Sequence, residues 1–336
     1  MATTAIVSLG LAPAPPVLGQ SASCAVPDAA VGDPSLDSDT AAGEEASPSP
    51  AVGAAIIQVE GEVQSRDATP GAALPAATPI VATPVSPPPD PIALLTRELT
   101  VVSESLAACL SAGDSEMVTE LAGERYLGQL FGGSVPLPKE EYIAIADGLT
   151  PVPARIVAVA DVVQTADDQA TALVTQVVGN QLVRADWSFA LVGRGERRAG
   201  ESRWQVSGER QQPAPDQPDA APVDVEIGDR SFTLDEPTVD GPDVILRGSN
   251  GSEEDHEMLV LRLAPGYTTA DLLRATGPDL PREVTFIGAA TVRAGDDGNL
   301  VLVNLEPGEY TIVCFFPDEQ GTPHLAQGME ATFTVG

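Results

Sequence analysis

Residues 305–335, with the sequence LEPGEYTIVCFFPDEQGTPHLAQGMEATFTV, decide the fold expected for this chain. Pro307-Gly308 is a turn signal, and residues 309–315 after it are rich in residues that favour β-strands. Residues 331–335 have the same character. The sequence therefore predicts two strands joined by a long loop, at the C-terminal end of a β-rich domain.

The same stretch carries side chains that bind transition metals. Cys314 stands at the end of the first predicted strand, and His324 and Met329 follow in the loop. A second histidine, His256, comes far upstream, after an Asn-Gly turn signal and before another predicted strand. These are the chain's only two histidines. A thiolate, two imidazoles and a thioether form a donor set that suits copper.

In this order and arrangement, the stretch resembles the cupredoxin family, which includes plastocyanin and azurin. The resemblance covers residues 222–336 and implies a Greek-key β-sandwich that holds one type 1 copper ion. It implies that His256, Cys314 and His324 bind the ion in a trigonal plane and that Met329 is a weak axial ligand. It also implies one-electron transfer or copper handling outside the cytoplasm, with a redox partner protein.

One spacing departs from the family pattern. Cupredoxins place only a few residues between the cysteine and the second histidine, whereas here nine residues, 315–323, separate Cys314 from His324. Two alternatives stay open at this point. The longer loop returns His324 to the metal, or it leaves His324 on the surface and the fold serves as a metal-free scaffold.

Each candidate ligand also has a purely structural interpretation. His256 would cap a strand among three acidic residues before it and a fourth after it. Such neighbours would raise its pKa by favouring the charged form, which competes with metal binding. Cys314 would be a buried core thiol, and Met329 would be a core residue. The triplet Asn250-Gly251-Ser252 matches a glycosylation signal, although turn formation explains it equally well.

The composition limits the classes of partner. The chain of 336 residues carries a net charge of −32, which disfavours nucleic acids and anionic lipid surfaces. It has no uninterrupted apolar stretch of about 18 residues, so no membrane-spanning segment is expected. The three cysteines, Cys24, Cys109 and Cys314, give no disulfide framework, and Cys109 is expected to pack as a small core residue.

Two segments precede the first predicted domain. Residues 1–23 combine a short apolar run with small residues before Cys24 and resemble a secretory signal, so the protein is expected to be secreted or at the cell surface. Residues 24–90 are rich in Pro and Ala and contain no aromatic residue. Such a segment cannot bury enough apolar surface to offset its chain entropy, so we expect a disordered linker.

Residues 91–212 form the predicted middle domain. Apolar residues recur at three- and four-residue spacings after Pro91, which predicts an amphipathic helix, and Asp114 can cap a second one. Four strands separated by turn signals are expected after the helices, at residues 155–164, 170–178, 181–191 and 203–209. This pattern indicates an α+β fold. Residues 106–114 and 203–206 resemble the nuclear-transport-factor-2-like superfamily, which implies a cone with a pocket for a small-molecule ligand.

No arrangement of residues in this domain indicates catalysis. Residues 91–212 contain no histidine, and Asp147, Asp161 and Asp186 are lone carboxylates of the kind found at turns and solvated faces. We therefore expect that the protein is not an enzyme. Residues 213–222, rich in Pro, Asp and Ala, are the predicted linker to the last domain.

The sequence thus predicts a multidomain protein with a disordered N-terminal segment, an α+β cone and an all-β Greek-key sandwich at residues 223–336. The leading prediction for its function is exported copper binding at His256, Cys314, His324 and Met329. The alternative is a metal-free extracellular module that binds a ligand or a protein and uses the cupredoxin fold as a scaffold.

Overall fold

The computed structural model describes residues 24–25, 90–193, 202–214, 217–275 and 280–336. The predicted export segment and nearly all of the predicted N-terminal linker lie outside the described residues. The described residues belong to one compact unit. None of their helices is both long enough and apolar enough to cross a membrane.

Helices come first in the α+β region, and antiparallel strands follow them. The described helices are α1 (Pro91–Ala112), α2 (Ser115–Leu121), α3 (Glu124–Gln129) and α4 (Lys139–Ala146). The strands are β1 (Ala154–Ala166), β2 (Gln169–Val178), β3 (Gln181–Val192) and β4 (Arg203–Gln212). The carboxylate of Asp114 accepts a hydrogen bond from a backbone N–H in the first turn of α2, as its capping position predicts.

The helices bury their apolar stripes against one face of this sheet. Leu99 and Leu106 of α1 share a core with Trp187 and Phe189 of β3, and all four side chains are fully buried. The predicted order of helices before strands is therefore observed, together with a core between them.

The C-terminal region is a two-sheet β-sandwich. Its strands are β5 (Ala221–Gly228), β6 (Ser231–Leu234), β7 (Thr238–Val239), β8 (Val244–Asn250), β9 (His256–Leu263), β10 (Val284–Val292), β11 (Asp297–Leu302), β12 (Gly308–Val313) and β13 (Glu330–Val335). A short helix, α5 (Thr269–Leu272), follows β9, and a 3-10 helix, η1 (His324–Gln327), precedes β13. One sheet has the order β10-β9-β12-β13-β7, and the other contains β11-β8-β5-β6. Alternating apolar residues of both sheets form a second hydrophobic core.

The second sheet continues from the sandwich into the α+β region. β11 pairs with β3 through Leu302 and Gln181, so the eight strands of the joined sheet belong to both regions. The side-chain amide of Gln181 also exchanges two hydrogen bonds, of 2.9 and 3.0 Å, with the backbone of Ala289 in β10. β5 begins at Ala221, inside the segment predicted as a linker, so the last part of that segment is strand.

The structure corrects the interpretation of two cysteines. Cys24 and Cys109 form a disulfide bond across 85 residues, although no disulfide framework is expected from the three cysteines. The odd cysteine count concealed one pair and one free thiol, since Cys314 is buried and unpaired. Cys109 does lie in the core of the α+β region, but as half of a covalent link and not as a free thiol.

Two short elements complete the sandwich. The helix α5 is a single turn, Thr269–Leu272, held by a capping box between Thr268 and Asp271. The strand β7 has only two residues, too few for an alternation of apolar and polar residues to be recognised in the sequence. Neither element changes which residues converge at the end of the sandwich.

Candidate metal centre

Four chain segments meet at one end of the five-stranded sheet. β12 runs antiparallel to both β9 and β13, so the end of β12 lies beside the beginnings of the other two strands. His256 opens β9, Cys314 directly follows β12, and Met329 directly precedes β13. His324 opens η1, between β12 and β13. Strand pairing therefore gathers residues that are far apart in the sequence.

Three of the four predicted ligands direct donor atoms towards one another. Nδ1 of His256 lies 3.0 Å from Nδ1 of His324. Sγ of Cys314 lies 3.8 Å from Nδ1 of His256 and 3.5 Å from Nδ1 of His324. His256 and Cys314 are 0% exposed and His324 is 1% exposed. Within the described ranges, no other group of His, Cys, Asp or Glu side chains is arranged to share a metal ion.

The spacing of these atoms fits a transition metal. A point equidistant from three atoms with these separations lies about 2.0 Å from each, and metal bonds to imidazole nitrogen and thiolate sulfur are about 2.0–2.3 Å long. A thiolate with two imidazoles in a trigonal arrangement is a donor set of copper sites. The alternative in which the long loop leaves His324 on the surface is wrong, because the His324 ring is buried beside Cys314.

The orientation of the His256 ring is fixed by a polar chain behind it. Nε2 of His256 lies 2.9 Å from Oγ of Ser252, and that hydroxyl lies 2.7 Å from Oδ1 of Asn250. If Nε2 carries the proton and donates it to Ser252, the lone pair of Nδ1 faces Cys314 and His324. A partner on the far nitrogen that sets the tautomer is the usual support of a metal-binding histidine.

Asn250 holds the turn that carries Ser252. Its side-chain amide donates to the backbone oxygens of Glu254 and Val292, at 2.8 and 3.0 Å, and its carbonyl accepts from the backbone N–H of Ser252. Asn250 is 3% exposed. Of the two interpretations of the triplet Asn250-Gly251-Ser252, turn formation is therefore correct, because the amide is buried and fully engaged.

His324 has a charged neighbour on its far nitrogen. Nε2 of His324 lies 3.2 Å from a carboxylate oxygen of Glu254, at an angle that makes the contact electrostatic and not a well-aligned hydrogen bond. Arg230 lies on the other side of Glu254, with Nη1 at 2.6 Å from the carboxylate, and its Nε donates to Gln327 in η1. Glu254 and Arg230 thus form a partly exposed cover over the buried ring.

The long loop returns to the site because Asp318 organises it. One carboxylate oxygen of Asp318 accepts from the backbone N–H groups of Gln320 and Thr322, each at 2.9 Å, and the other accepts from the side chain of Gln327. The backbone N–H of His324 then donates to the oxygen of Phe316 at 2.9 Å. The nine residues between Cys314 and His324 therefore form a loop that is closed by hydrogen bonds and returns His324 to a position next to the thiol.

Burial determines the protonation behaviour of the two histidines. The pKa of His256 is lowered, first by burial and then by the neighbouring His324, while Glu254 opposes the shift. The pKa of His324 is lowered as well, by burial and by Arg230. The expectation that acidic neighbours raise the pKa of His256 is therefore wrong, because desolvation outweighs them. Both rings favour the neutral form, which is the form that binds metals.

The pKa of the Cys314 thiol is shifted in the direction that disfavours metal binding. Burial raises its pKa, so the free thiol resists losing the proton that metal binding displaces. The backbone N–H of Glu257 lies 3.5 Å from Sγ and opposes the shift, as does the N–H of Phe316. The carboxylate of Glu257 in turn accepts from the backbone N–H of Phe315, which ties β9 to the residues after β12. These amides favour a negatively charged sulfur.

Met329 lies at the edge of the same cluster. It is fully buried in the core that also contains Cys314, and its backbone N–H donates to the oxygen of His324 at 3.1 Å. Gly328 before it has a φ of 91°, a left-handed conformation that favours glycine and turns the chain from η1 into β13. The role of Met329 as axial ligand stays a prediction.

Sequence reasoning missed the residues that support the ligands. The sequence indicates Asn250 and Ser252 only as parts of a turn or glycosylation triplet and Glu254 only as one of the acids beside His256. Only the position of Ser252 and Glu254, four and two residues before His256, could have pointed to them. Arg230 comes from the loop between β5 and β6, and nothing in its local sequence indicates the contact.

Comparisons with known proteins give limited similarity. No family model matches the chain, and no curated protein matches it. Reduced auracyanin from the photosynthetic bacterium Roseiflexus castenholzii matches at 22% identity over 35% of this chain and 98% of its own, with a TM-score of 0.25. Auracyanin B matches at 21% identity over 36% of this chain and 93% of its own, with a TM-score of 0.25. A copper nitrite reductase from Nitrosomonas europaea matches at 11% identity over 41% of this chain and 56% of its own, with a TM-score of 0.22.

Similarities of this size do not identify a function. The comparisons do not support a nuclear-transport-factor-2-like fold for the α+β region. For the C-terminal region, the assignment depends on the structure itself, which has two packed sheets and a buried His-Cys-His cluster at the end of one of them. The C-terminal region is thus a two-sheet β-sandwich with a buried cluster of His256, Cys314 and His324, in the ligand order that the resemblance to cupredoxins implies.

Proposed function

We propose that the end of the C-terminal sandwich binds one copper ion and that the protein transfers single electrons or handles copper outside the cytoplasm. His256, Cys314 and His324 would hold the ion, and Met329 would be its weak axial ligand. Copper held there would supply a one-electron redox centre. The observation that carries the proposal is the buried triangle of two Nδ1 atoms and one sulfur, with separations of 3.0, 3.5 and 3.8 Å.

The chain's own residues prepare the site for a metal. Ser252 and Glu254 occupy the Nε2 sides of the two rings, so both Nδ1 atoms are left for the ion. Cys314 binds as a thiolate and releases the proton on Sγ, and the backbone N–H of Glu257 stabilises the negative sulfur. Because the donor atoms are held in a packed core, a change of oxidation state requires little movement of the protein.

Electron transfer or copper handling is proposed in preference to catalysis. The three ligand side chains are at most 1% exposed, so a substrate has no direct approach to an ion held between them. An electron can leave through the His324 ring, which lies directly beneath the partly exposed Glu254 and Arg230. The partner in this proposal is a redox protein that docks over that surface.

The disulfide supports a location outside the cytoplasm. Structural disulfides persist in oxidising compartments and are rare in the cytosol. The bond between Cys24 and Cys109 links the residue that directly follows the predicted export segment to the core of the α+β region. A protein that must keep this link folds in an oxidising compartment, in agreement with the expected export.

For the α+β region we infer a nuclear-transport-factor-2-like cone. The helices α1–α4 cover one face of a four-stranded antiparallel sheet, and a cavity of about 400 Å³ lies between them. This cavity is the observation that favours a second function, the binding of a small molecule. The alternative of a ligand-binding module is therefore retained for the α+β region, attached to a metal-binding sandwich.

Metal content and redox cycling test the copper proposal. Protein loaded with Cu(II) and freed of excess ion should contain one copper per chain and should be reduced and reoxidised by one electron. The variant His256→Ala should bind copper more weakly and should recover an occupied position when imidazole is added, because imidazole replaces the missing ring. Retention of zinc but not copper, or copper bound equally well by His256→Ala without imidazole, contradicts the proposal.

A further inference from the structure

The cavity of the α+β region is lined by aromatic side chains on one side and by the sheet on the other. Tyr126, Phe131 and Tyr142 come from the helices and the segments between them. The rings of Phe131 and Tyr142 are 5.8 Å apart, and Tyr126 packs edge-on against Trp187 at 5.5 Å. A volume of about 400 Å³ is within the usual size of a small-molecule site.

Glu209 is the only charged residue among the described residues that line this cavity. Its side chain is partly buried and forms no ion pair within the described part of the chain. Its position is fixed, because the side-chain amide of Gln129 accepts from the backbone N–H of Glu209 and donates to its backbone oxygen, both at 2.9 Å. The backbone that carries this carboxyl group is thus held in place beside the aromatic side of the cavity.

The polar groups that neighbour this carboxyl, from Trp187, Tyr126 and Tyr142, are uncharged. The indole N–H of Trp187 is buried without a hydrogen bond of normal geometry, although it lies close enough to lower the pKa of Glu209. Burial nevertheless dominates and raises the pKa of Glu209. The pKa of Tyr126 is raised by burial, then by Glu209 and by Tyr142, and that of Tyr142 is raised by burial to about 12. Each shift has the direction expected in a site without a cation.

We propose that this cavity binds a small organic cation, a protonated amine carried on an apolar body. The ammonium group pairs with the carboxylate of Glu209, and the faces of Tyr126 and Tyr142 attract its positive charge. The apolar body fills the space beside Phe131 and the aliphatic lining. This inference does not depend on the copper site, which is built from other residues in the sandwich.

Three probes with the same ring and different head groups test the charge requirement. Calorimetric titration of the full chain with 2-phenylethylamine, 2-phenylethanol and phenylacetate should show the amine binding at least tenfold more tightly than the alcohol, with phenylacetate weakest. Amine affinity should also fall as the pH is lowered through the raised pKa of Glu209, because the protonated carboxyl no longer pairs with the cation.

Two variants separate the cavity from the general acidity of the chain. Glu209→Gln should remove the tenfold preference for the amine and its pH dependence, while binding of 2-phenylethanol is unchanged. Glu124→Gln removes one exposed charge at the start of α3, outside the cavity lining, and should change neither. A far-UV circular dichroism spectrum and a thermal unfolding midpoint equal to those of the wild type would report that Glu209→Gln is folded. Equal binding of amine and alcohol, no binding of any probe, or an unaltered preference in Glu209→Gln overturns the proposal.

Discussion

The two buried polar clusters of this chain differ in how their polar atoms are partnered. At the end of the sandwich, the far nitrogen of each histidine faces a neighbour, Ser252 or Glu254, and the two Nδ1 atoms face each other and the thiol of Cys314. In the α+β cavity, the carboxyl of Glu209 forms no ion pair with the described residues and is the only charged group in their lining. The first arrangement is suited to a metal ion and the second to an exchangeable small molecule.

The two regions also use cysteine differently. Cys109 is joined covalently to Cys24 beside the cavity, whereas Cys314 is a free thiol at the centre of the metal cluster. The α+β region is therefore strengthened by a bond that is present without any ligand. A metal bound at the end of the sandwich would give that region a corresponding support, since binding stabilises the folded state.

The largest expected effect comes from removing the disulfide. The double variant Cys24→Ser/Cys109→Ser should lose about 4.6 kcal/mol of unfolding free energy, the loop-closure value for a separation of 85 residues. Denaturant unfolding, followed with and without reductant, measures the loss. Reduced wild-type protein should behave like the variant, and the copper affinity of both should be unchanged. Equal stability of variant and oxidised wild type would show that the bond does not constrain the chain.

The neighbours of the histidines should have the next largest effect. Ser252→Ala leaves Nε2 of His256 without its partner, and Glu254→Gln removes the negative charge beside His324, so each should lower copper affinity about 10–100-fold. Competition against a chelator of known affinity measures the change.

A matched control is available beside these residues. Glu253→Gln removes the same charge from an exposed side chain between Ser252 and Glu254, and its copper affinity should equal that of the wild type. A loss of affinity in Glu253→Gln as large as that in Glu254→Gln would mean that net charge, and not the contact with His324, controls the affinity.

The pH dependence of stability should reveal the lowered pKa values of the histidines. In the unfolded chain both rings take up a proton near pH 6.5, whereas in the metal-free folded protein they do so only at lower pH. This contribution to stability is present above pH 6.5 and is lost as the pH falls below it, by about 1.4 kcal/mol for each unit of pKa shift.

A histidine-free chain isolates this term. The variant His256→Gln/His324→Gln contains no histidine, so its stability should change less than that of the wild type between pH 7.5 and pH 5.5. Thermal unfolding of both metal-free proteins at the two pH values gives the comparison. Parallel pH profiles would contradict the lowered pKa values.

The smallest structural effect is expected at Met329. Met329→Leu preserves the volume of the buried side chain, so copper should stay bound, and the reduction potential should shift upward because loss of the weak axial donor removes a bias towards the oxidised state. Voltammetry of the loaded variant measures the shift. An unchanged potential would mean that the thioether does not interact with the ion.

The sequence indicated which donor residues converge, but it did not indicate which residues support them. The order His256, Cys314, His324 indicated a metal site because thiolate and imidazole donors are typical transition-metal ligands, whatever their exact geometry. The return of His324 could not be predicted, because it depends on how Asp318 closes the loop. The pKa direction of His256 was predicted wrongly, since burial cannot be read from the acidic residues next to it.

In the α+β region, too, local features could be predicted from the sequence and long-range contacts could not. Its helices and strands followed from apolar periodicity, which is a local property. The disulfide did not, because Cys24 and Cys109 are 85 residues apart and three cysteines allow any pairing. The position of Glu209 was also not predicted, since only the assembled cavity shows that it is the sole charged residue of the described lining.

Titration of metal-free protein with Cu(II) tests the central claim most directly. One equivalent should produce an intense visible thiolate-to-copper absorption band, and Cys314 should become protected from thiol reagents at the same stoichiometry. The variant Cys314→Ser should show no such band. If stoichiometric Cu(II) produces no thiolate band and Cys314 stays as reactive as before, the buried cluster is not a copper–thiolate site and the account is wrong.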